Sequence, residues 1–163
     1  MPKRVKVLDM FSGAGGFSLG FCWAFEEEKT DYEIFGLELD MCACRTYHYN
    51  LSRMFPGRTH VIRCDVRLPP LRLDEGLFDV IIGGPPCQPW SRATPKSKRG
   101  WKHPLADLTL YFFVYVIIYK PKVFVMEQVP SILDFPEWRY FFDRLSGQTT
   151  MDEFFAPEVR NNA

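Results

Sequence analysis

A chain of 163 residues, 47% apolar and 25% charged, has the size and composition of one globular domain that buries roughly two thirds of its unfolded surface without disulfides or a structural metal. Intrinsic disorder and a two-domain organisation are excluded. Twenty basic and twenty acidic residues cancel to a net charge of zero, so any nucleic-acid site is a local patch. Five cysteines, an odd number, and a start that runs from Met1 through Val7 into Asp9 without an apolar stretch point to a reducing, intracellular compartment. The longest apolar run, Leu110 to Tyr119, is ten residues, short of the roughly 18 that a membrane-spanning helix needs, and reads as a core helix.

Short apolar runs alternate with longer amphipathic segments, the pattern of a parallel sheet covered by helices. Val5 to Phe11 reads as the first strand, and the glycine-rich turn Ser12 to Gly16 leads into a helix ending near Glu28. Glu33 to Leu39 is the second strand, followed by a helix from about Met41 to Met54 that the Pro56-Gly57 pair ends. His60 to Cys64 is the third strand, with Asp65 just beyond it, and Phe78 to Ile82 the fourth. Residues 83–103 hold three prolines within five residues and no regular period, so they read as a long functional loop. Leu105 to Lys120 is a helix that Pro121 stops, Val123 to Met126 a buried fifth strand with Glu127 at its end, and Ser131 to Leu145 a last amphipathic helix. The fold class is therefore α/β, a doubly wound and mostly parallel sheet ending after the fifth strand and its helix. One domain occupies residues 1–147, and residues 148–163 form a tail without pattern.

In such a sheet, ligands bind beyond the carboxyl ends of the strands, where the strand order reverses. The strand-end groups are Phe11 to Gly16, Glu38-Leu39-Asp40, Asp65-Val66, Pro85 to Gln88 and Glu127-Gln128, and all would line one crevice. The first is a G-x-G-G turn in which absent side chains let a ligand approach the backbone. Ser18 stands where a dinucleotide fingerprint would place its third glycine, which disfavours a pyrophosphate. Glu38 is placed to accept hydrogen bonds from both hydroxyls of a ribose, and Asp65 from an adenine amino group. Together they suit an adenosine-containing cofactor without pyrophosphate.

Gly83-Gly84-Pro85-Pro86-Cys87-Gln88 is more specific. Two prolines fix two successive φ angles and present the following thiol rigidly, as a nucleophile requires. That thiol attacks only as the thiolate, which positive charge or helix dipoles nearby would favour. Glu127 follows four apolar residues, so burial would raise its pKa and make it a proton donor near neutral pH. Between Ser91 and His103 lie Arg92, Lys96, Lys98, Arg99 and Lys102 with no acidic residue, interleaved with Trp90 and Trp101. This flexible basic loop suits closure over a phosphate backbone. Cys42, Cys44 and Cys64 lack the paired spacing of a zinc site, and no metal is expected.

Asp9-x-Phe11-x-Gly13-x-Gly15-Gly16, the block from Gly83 to Ser91, and Met126-Glu127-Gln128-Val129, in this order, resemble the DNA cytosine-5 methyltransferases over about Val5 to Leu145. The resemblance implies a Rossmann-like S-adenosylmethionine-dependent methyltransferase fold, with S-adenosylmethionine as cofactor, S-adenosylhomocysteine as product and DNA as partner. It would set Phe11 on the adenine, Gly13 to Gly16 (Gly13, Gly15 and Gly16 among them) at the methionine moiety and Glu38 at the ribose, with Ser12 and Leu39 as further cofactor-binding residues. Asp65 and Val66 would meet the adenine, with Pro86 and Leu110 against the cofactor. Cys87 would attack carbon 6 of a flipped cytosine while Glu127 binds its ring nitrogen 3 and amine. Gln88, Ser91 and the five basic residues would contact DNA. The implied location is cytoplasm or nucleoid, or the nucleus in a eukaryote.

The chain departs from the family in three ways. Gln128 replaces the usual asparagine, Asp107 stands where an arginine is usual, and the later recognition motifs are absent. The fifth strand would then be a bare apolar edge inviting a complementary chain or a second copy. Two other readings share these residues: an RNA cytosine-5 methyltransferase, and a cofactor-binding fragment that is inactive or depends on another subunit.

Overall fold

A computed structural model describes residues 4–68 and 74–146. Its strands are β1 (Val5–Met10), β2 (Tyr32–Glu38), β3 (Thr59–Arg63), β4 (Val80–Gly83) and β5 (Val123–Met126), and its helices α1 (Gly16–Glu27), α2 (Met41–Tyr47), α3 (Leu108–Tyr119) and α4 (Pro136–Ser146). Among the described residues the strands form one sheet in the order β3-β2-β1-β4-β5, every neighbouring pair parallel. The chain builds outward from β1 to β3, returns to the centre and builds the other way, so the order reverses between β1 and β4. A ligand crevice opens at that reversal.

Alternation along the strands divides the core. Leu8, Met10, Leu37 and Ile81 face one side, where Phe112, Phe113, Val116 and Tyr119 of α3 and Trp138 of α4 pack. Val7, Ile34 and Ile82 face the other, against Cys22 of α1 and Tyr47 of α2. Period-2 side-chain alternation in a sheet covered on both faces accounts for the mostly apolar strands of the sequence.

Several boundaries differ from expectation, each for a local reason. The helix after β2 is α-helical only to Tyr47 and then widens into a π-turn over His48–Ser52. This seats Leu51 and Tyr47 against Gly15, whose backbone comes so close that a Cβ there would lie 2.0 Å from Leu51 Cδ1. The last helix does not run from Ser131: a 3₁₀ turn covers Pro130–Asp134, Phe135 is extended (φ −96°, ψ 118°) and α4 starts at Pro136. A residue preceding proline is pushed out of the α region, which explains the break. Among the described residues β5 is an edge strand, with Val123 54% and Val125 40% exposed, as the resemblance implied, and the reading of its apolar run as a strand buried on both faces is corrected. The expected tail, residues 148–163, lies outside the described residues. None of the described helices is long and apolar enough to cross a membrane.

Candidate active site

A cavity of about 850 Å³ opens over the carboxyl ends of the strands, lined among others by Phe11, Glu38, Leu39, Asp65, Val66, Pro86, Cys87, Gln88 and Glu127. Residues from all five strand ends thus share one space.

The turn after β1 is made by left-handed backbone at Phe11 (φ 59°), Gly13 (φ 54°) and Gly15 (φ 95°). For Phe11 that conformation costs on the order of 1–2 kcal/mol and carries its ring to the cavity wall. The glycines divide by role. A Cβ at Gly13 or Gly16 would meet nothing within 4 Å, whereas Gly15 is packed against Tyr47 and Leu51. Gly13 and Gly16 therefore leave backbone open to a ligand, and Gly15 serves helix packing. Ser12 is buried, its amide donating to the Leu37 carbonyl at 3.0 Å.

Glu38 joins this turn to the end of β2. Its Oε2 accepts from the Gly13 amide at 2.9 Å, and Oε1 accepts from the Leu39 and Asp40 amides at 2.8 Å each. A carboxylate offers about four acceptor sites, so roughly one remains for a ribose hydroxyl rather than the two-hydroxyl contact expected. Asp65 accepts from the Arg67 amide at 3.0 Å and from Arg67 Nη1 at 3.4 Å.

Beneath the turn, Asp9 is 1% exposed. Its Oδ2 accepts from Ser18 Oγ at 2.6 Å and the Ser18 amide at 3.2 Å, and Tyr47 donates to Ser18 Oγ at 2.9 Å. Oδ1 has no hydrogen-bond partner. Burial pushes the Asp9 carboxyl up to about 7, against the opposing pull of Ser18.

On the other side, Cys87 is exposed at the cavity. Its carbonyl accepts from the Trp90 and Ser91 amides at 3.0 and 2.9 Å, closing a tight turn behind the thiol. Trp90 is fully buried and donates through Nε1 to Thr109 of α3 at 2.9 Å. Gln128 donates from Nε2 to the Pro85 carbonyl at 3.1 Å and accepts from the Val129 amide at 2.9 Å, so the longer amide still fastens the end of β5 to the Pro-Pro turn. Glu127 donates its backbone amide to the Gly83 carbonyl at 3.0 Å, and its Oε2 lies 3.4 Å from where a Gly84 Cβ would be. Its side chain is exposed, contrary to the expected burial, because β5 is the sheet edge.

The basic loop is more tied down than a flexible strap. Trp90 packs edge-on against Trp101, Phe135 and Trp138, while Trp101 stacks on Trp138 at 5.6 Å. Arg92 forms a fork with Asp134, both bonds 3.1 Å, and Arg99 lies over the Phe135 ring at 5.6 Å. Ser91 is half-buried, its Oγ accepting from the Ala93 amide, whereas Lys96, Lys98 and Lys102 are exposed.

Five of the expected cofactor residues, Ser12, Gly13, Gly15, Gly16 and Leu110, are not among those that line the cavity. Leu110 is 44% exposed, and Leu105 and Leu108 line the cavity instead. α3 begins at Leu108, three residues later than expected, so its first turn meets the cavity and Leu110 lies about 200° further round. Sequence reading also missed Met41, Arg63, Cys64 and Arg67 on the cavity wall. Only Arg67, in the same turn as Asp65, carried a readable signal. Among the described residues no cluster of three or more metal-ligating side chains occurs.

Residues 5–146 match the family described as C-5 cytosine-specific DNA methylase. Curated relatives include the type II methyltransferases M.FnuDI of Fusobacterium nucleatum, 38% identical over 135 residues, and M.DdeI of Desulfomicrobium norvegicum, 36% identical over 132 residues. Each alignment covers 79% of this chain but only 33% and 29% of the relative, respectively, so the chain spans about a third of their length. Among solved structures, a protein of Pyrococcus horikoshii provisionally described as an RNA methyltransferase superposes with a TM-score of 0.56 at 22% identity, covering 87% of this chain and 57% of that one. One from Methanococcus maripaludis, provisionally described as S-adenosyl-L-methionine-dependent, gives 0.52 at 13% identity, covering 89% and 67%. These two likenesses concern the fold.

Proposed function

Because the chain belongs to the C-5 cytosine-specific DNA methylase family, we propose that it is the cofactor-binding and chemical part of a DNA cytosine-5 methyltransferase of the type II, restriction-modification kind. One observation carries this reading: Cys87 and Glu127 line the same cavity as Glu38 and Asp65, so a nucleophile, an acid and two nucleoside-binding carboxylates open on one space. S-adenosylmethionine fits the residues present. Glu38 keeps an acceptor site toward a ribose, Asp65 faces the adenine end, and Gly13 and Gly16 leave the turn open for the methionine moiety. When bound, it supplies the methyl electrophile for carbon 5.

This chain's own residues do the rest. A target cytosine must leave the duplex stack to reach the cavity. The Cys87 thiolate forms a bond to carbon 6, and the displaced ring electrons make carbon 5 nucleophilic. Glu127 holds ring nitrogen 3 and the exocyclic amine, stabilising the charge that develops there. After methylation, water takes the carbon 5 proton, the electrons of that bond form the double bond between carbons 5 and 6, and the bond from carbon 6 to sulfur breaks with its pair returning to Cys87. The exposed lysines of the loop, with Gln88 and Ser91, contact the phosphate backbone and fix position.

The bare β5 edge, with Val123 and Val125 exposed, is the seam at which the remainder of a full-length relative docks, whether as further chain or as a separate polypeptide. Duplex DNA containing 5-fluorocytosine tests the chemistry, because fluorine at carbon 5 blocks release of Cys87. A covalent adduct on a denaturing gel is expected when the complementary portion is supplied. No adduct with or without it overturns the reading, and preferential trapping on tRNA redirects it to RNA. Light scattering after size exclusion tests the seam: a well-behaved monomer at high concentration, with no complex on adding the complementary portion, overturns it.

A further inference from the structure

Arg67 occupies a position that the proposed reaction does not use. It follows β3 in the same turn as Asp65, and its guanidinium reaches three other groups. Nε donates to Asp107 Oδ2 at 2.8 Å, Nη2 to Asp107 Oδ1 at 2.7 Å and to the Pro104 carbonyl at 3.3 Å, and Nη1 to Asp65 Oδ2 at 3.4 Å. The Arg67 amide donates to the other oxygen of Asp65 at 3.0 Å. One residue therefore holds both oxygens of Asp65 and grips the residue that precedes α3 with a planar, two-pronged fork. Such a fork sets orientation as well as distance.

The two segments joined by Arg67 both contribute to the lining of the cavity. Asp65, Val66 and Arg67 line it from β3, and Leu105 and Leu108 from the start of α3. A second bond ties the same segments, because Tyr115 of α3 donates to the Val66 carbonyl at 3.0 Å in the buried interior. The hydrogen bond to Asp107 raises the Arg67 guanidinium above its ordinary range, and Arg67 in turn lowers Asp107, so both stay charged across the range in which the protein is handled. The acidic residue at position 107 is thus the counter-charge of Arg67 and not simply a missing arginine.

We infer that Arg67 is a positioning residue for the adenine end of the cavity. By engaging one acceptor site on each Asp65 oxygen and bracing the turn against Asp107, it aims the remaining acceptor sites of Asp65 at the amino group of a bound adenine. This rests on the cofactor reading above. The mechanism predicts ligand selectivity: Arg67 should matter for a ligand with a 6-amino group and not for one with a 6-oxo group, which offers Asp65 no such donor.

The test is calorimetry on the full chain with two ligands, S-adenosylhomocysteine and its deaminated counterpart S-inosylhomocysteine. Arg67→Met is expected to weaken the adenosyl ligand roughly tenfold, the scale of one charge-assisted hydrogen bond, and to leave the inosyl ligand within about twofold. Arg67→Lys keeps the charge, loses the fork and should show the same selective loss. The exchanged pair Arg67→Asp with Asp107→Arg is expected to recover part of the loss from Arg67→Asp alone. Circular dichroism confirms that each variant is folded. If Arg67→Met unfolds, Arg67→Lys alone decides. Equal losses for both ligands would show a general scaffolding role and overturn the inference, as would no loss for either. A wild-type chain that binds neither ligand overturns the cofactor reading and this inference with it.

Discussion

Along β2 and β3 the cavity carboxylates are held by the fold: Glu38 by three backbone amides, Asp65 by the amide and guanidinium of Arg67. At β5, Glu127 stands exposed on a sheet edge, and the ties there belong to its neighbour Gln128. One half of the site is preorganised within these residues. The other half has its proposed nucleophile, Cys87, well braced through Trp90 and the turn at residues 87–91, but presents its proposed acid, Glu127, on a surface. Preorganised ligand contacts need a supporting shell to be precise, and hydrogen bonds supply more of that shell around Glu38 and Asp65 than around Glu127.

The sharpest break between the halves comes from Cys87→Ser, which should abolish 5-fluorocytosine trapping and methyl transfer while leaving calorimetric binding of S-adenosylhomocysteine within about twofold. A loss of cofactor binding as well would show that the two halves are one unit. Glu127→Gln should reduce turnover by about 10² to 10⁴ and also spare cofactor affinity. Trp138→Ala removes the ring on which Trp101 stacks and Trp90 abuts. It should cost about 3–5 kcal/mol in urea denaturation, with added protease sensitivity in residues 91–103 and the β1 turn unaffected.

Asp9 probes the cofactor half from below. Its folded carboxyl is raised to about 7, so the folded state binds more protons than the unfolded one between the ordinary carboxylate range and that value. Stability therefore falls as pH rises through this window and levels off above it. Asp9→Asn should flatten the dependence, giving an advantage over wild type at pH 8 relative to pH 5 on the order of a few kcal/mol, read from urea midpoints. A parallel pair of curves would show that Asp9 does not titrate there. The smallest effect is expected of Arg92→Ala. Its pair with Asp134 is exposed and screened by solvent, so stability should barely move, while the salt dependence of DNA binding tells whether Arg92 leaves Asp134 for a phosphate.

Much of this was legible in the chain itself. Short, mostly apolar segments alternating with longer amphipathic ones point to a parallel sheet covered by helices, because inner strands of such a sheet are buried on both faces. Glycine at 13 and 16 and the Pro85-Pro86-Cys87 order are local constraints on backbone shape, and local constraints are written in sequence. The break before α4 was also written there, in Pro136, and the helical pattern across it obscured the signal.

What only the tertiary structure decided depends on position within the sheet and on contacts between distant segments. Val123 to Met126 is as apolar as any inner strand, so its residues alone do not mark it as an edge; the resemblance implied that place, and the strand order, which exposes Glu127, has it there among the described residues. The phase of α3, and with it the choice of Leu108 over Leu110 at the cavity, follows from where Asp107 is held by Arg67, forty residues away. Glu38 and Asp65 could be recognised as carboxylates at strand ends, but how many acceptor sites each retains is set by amides and a guanidinium that folding alone brings to them.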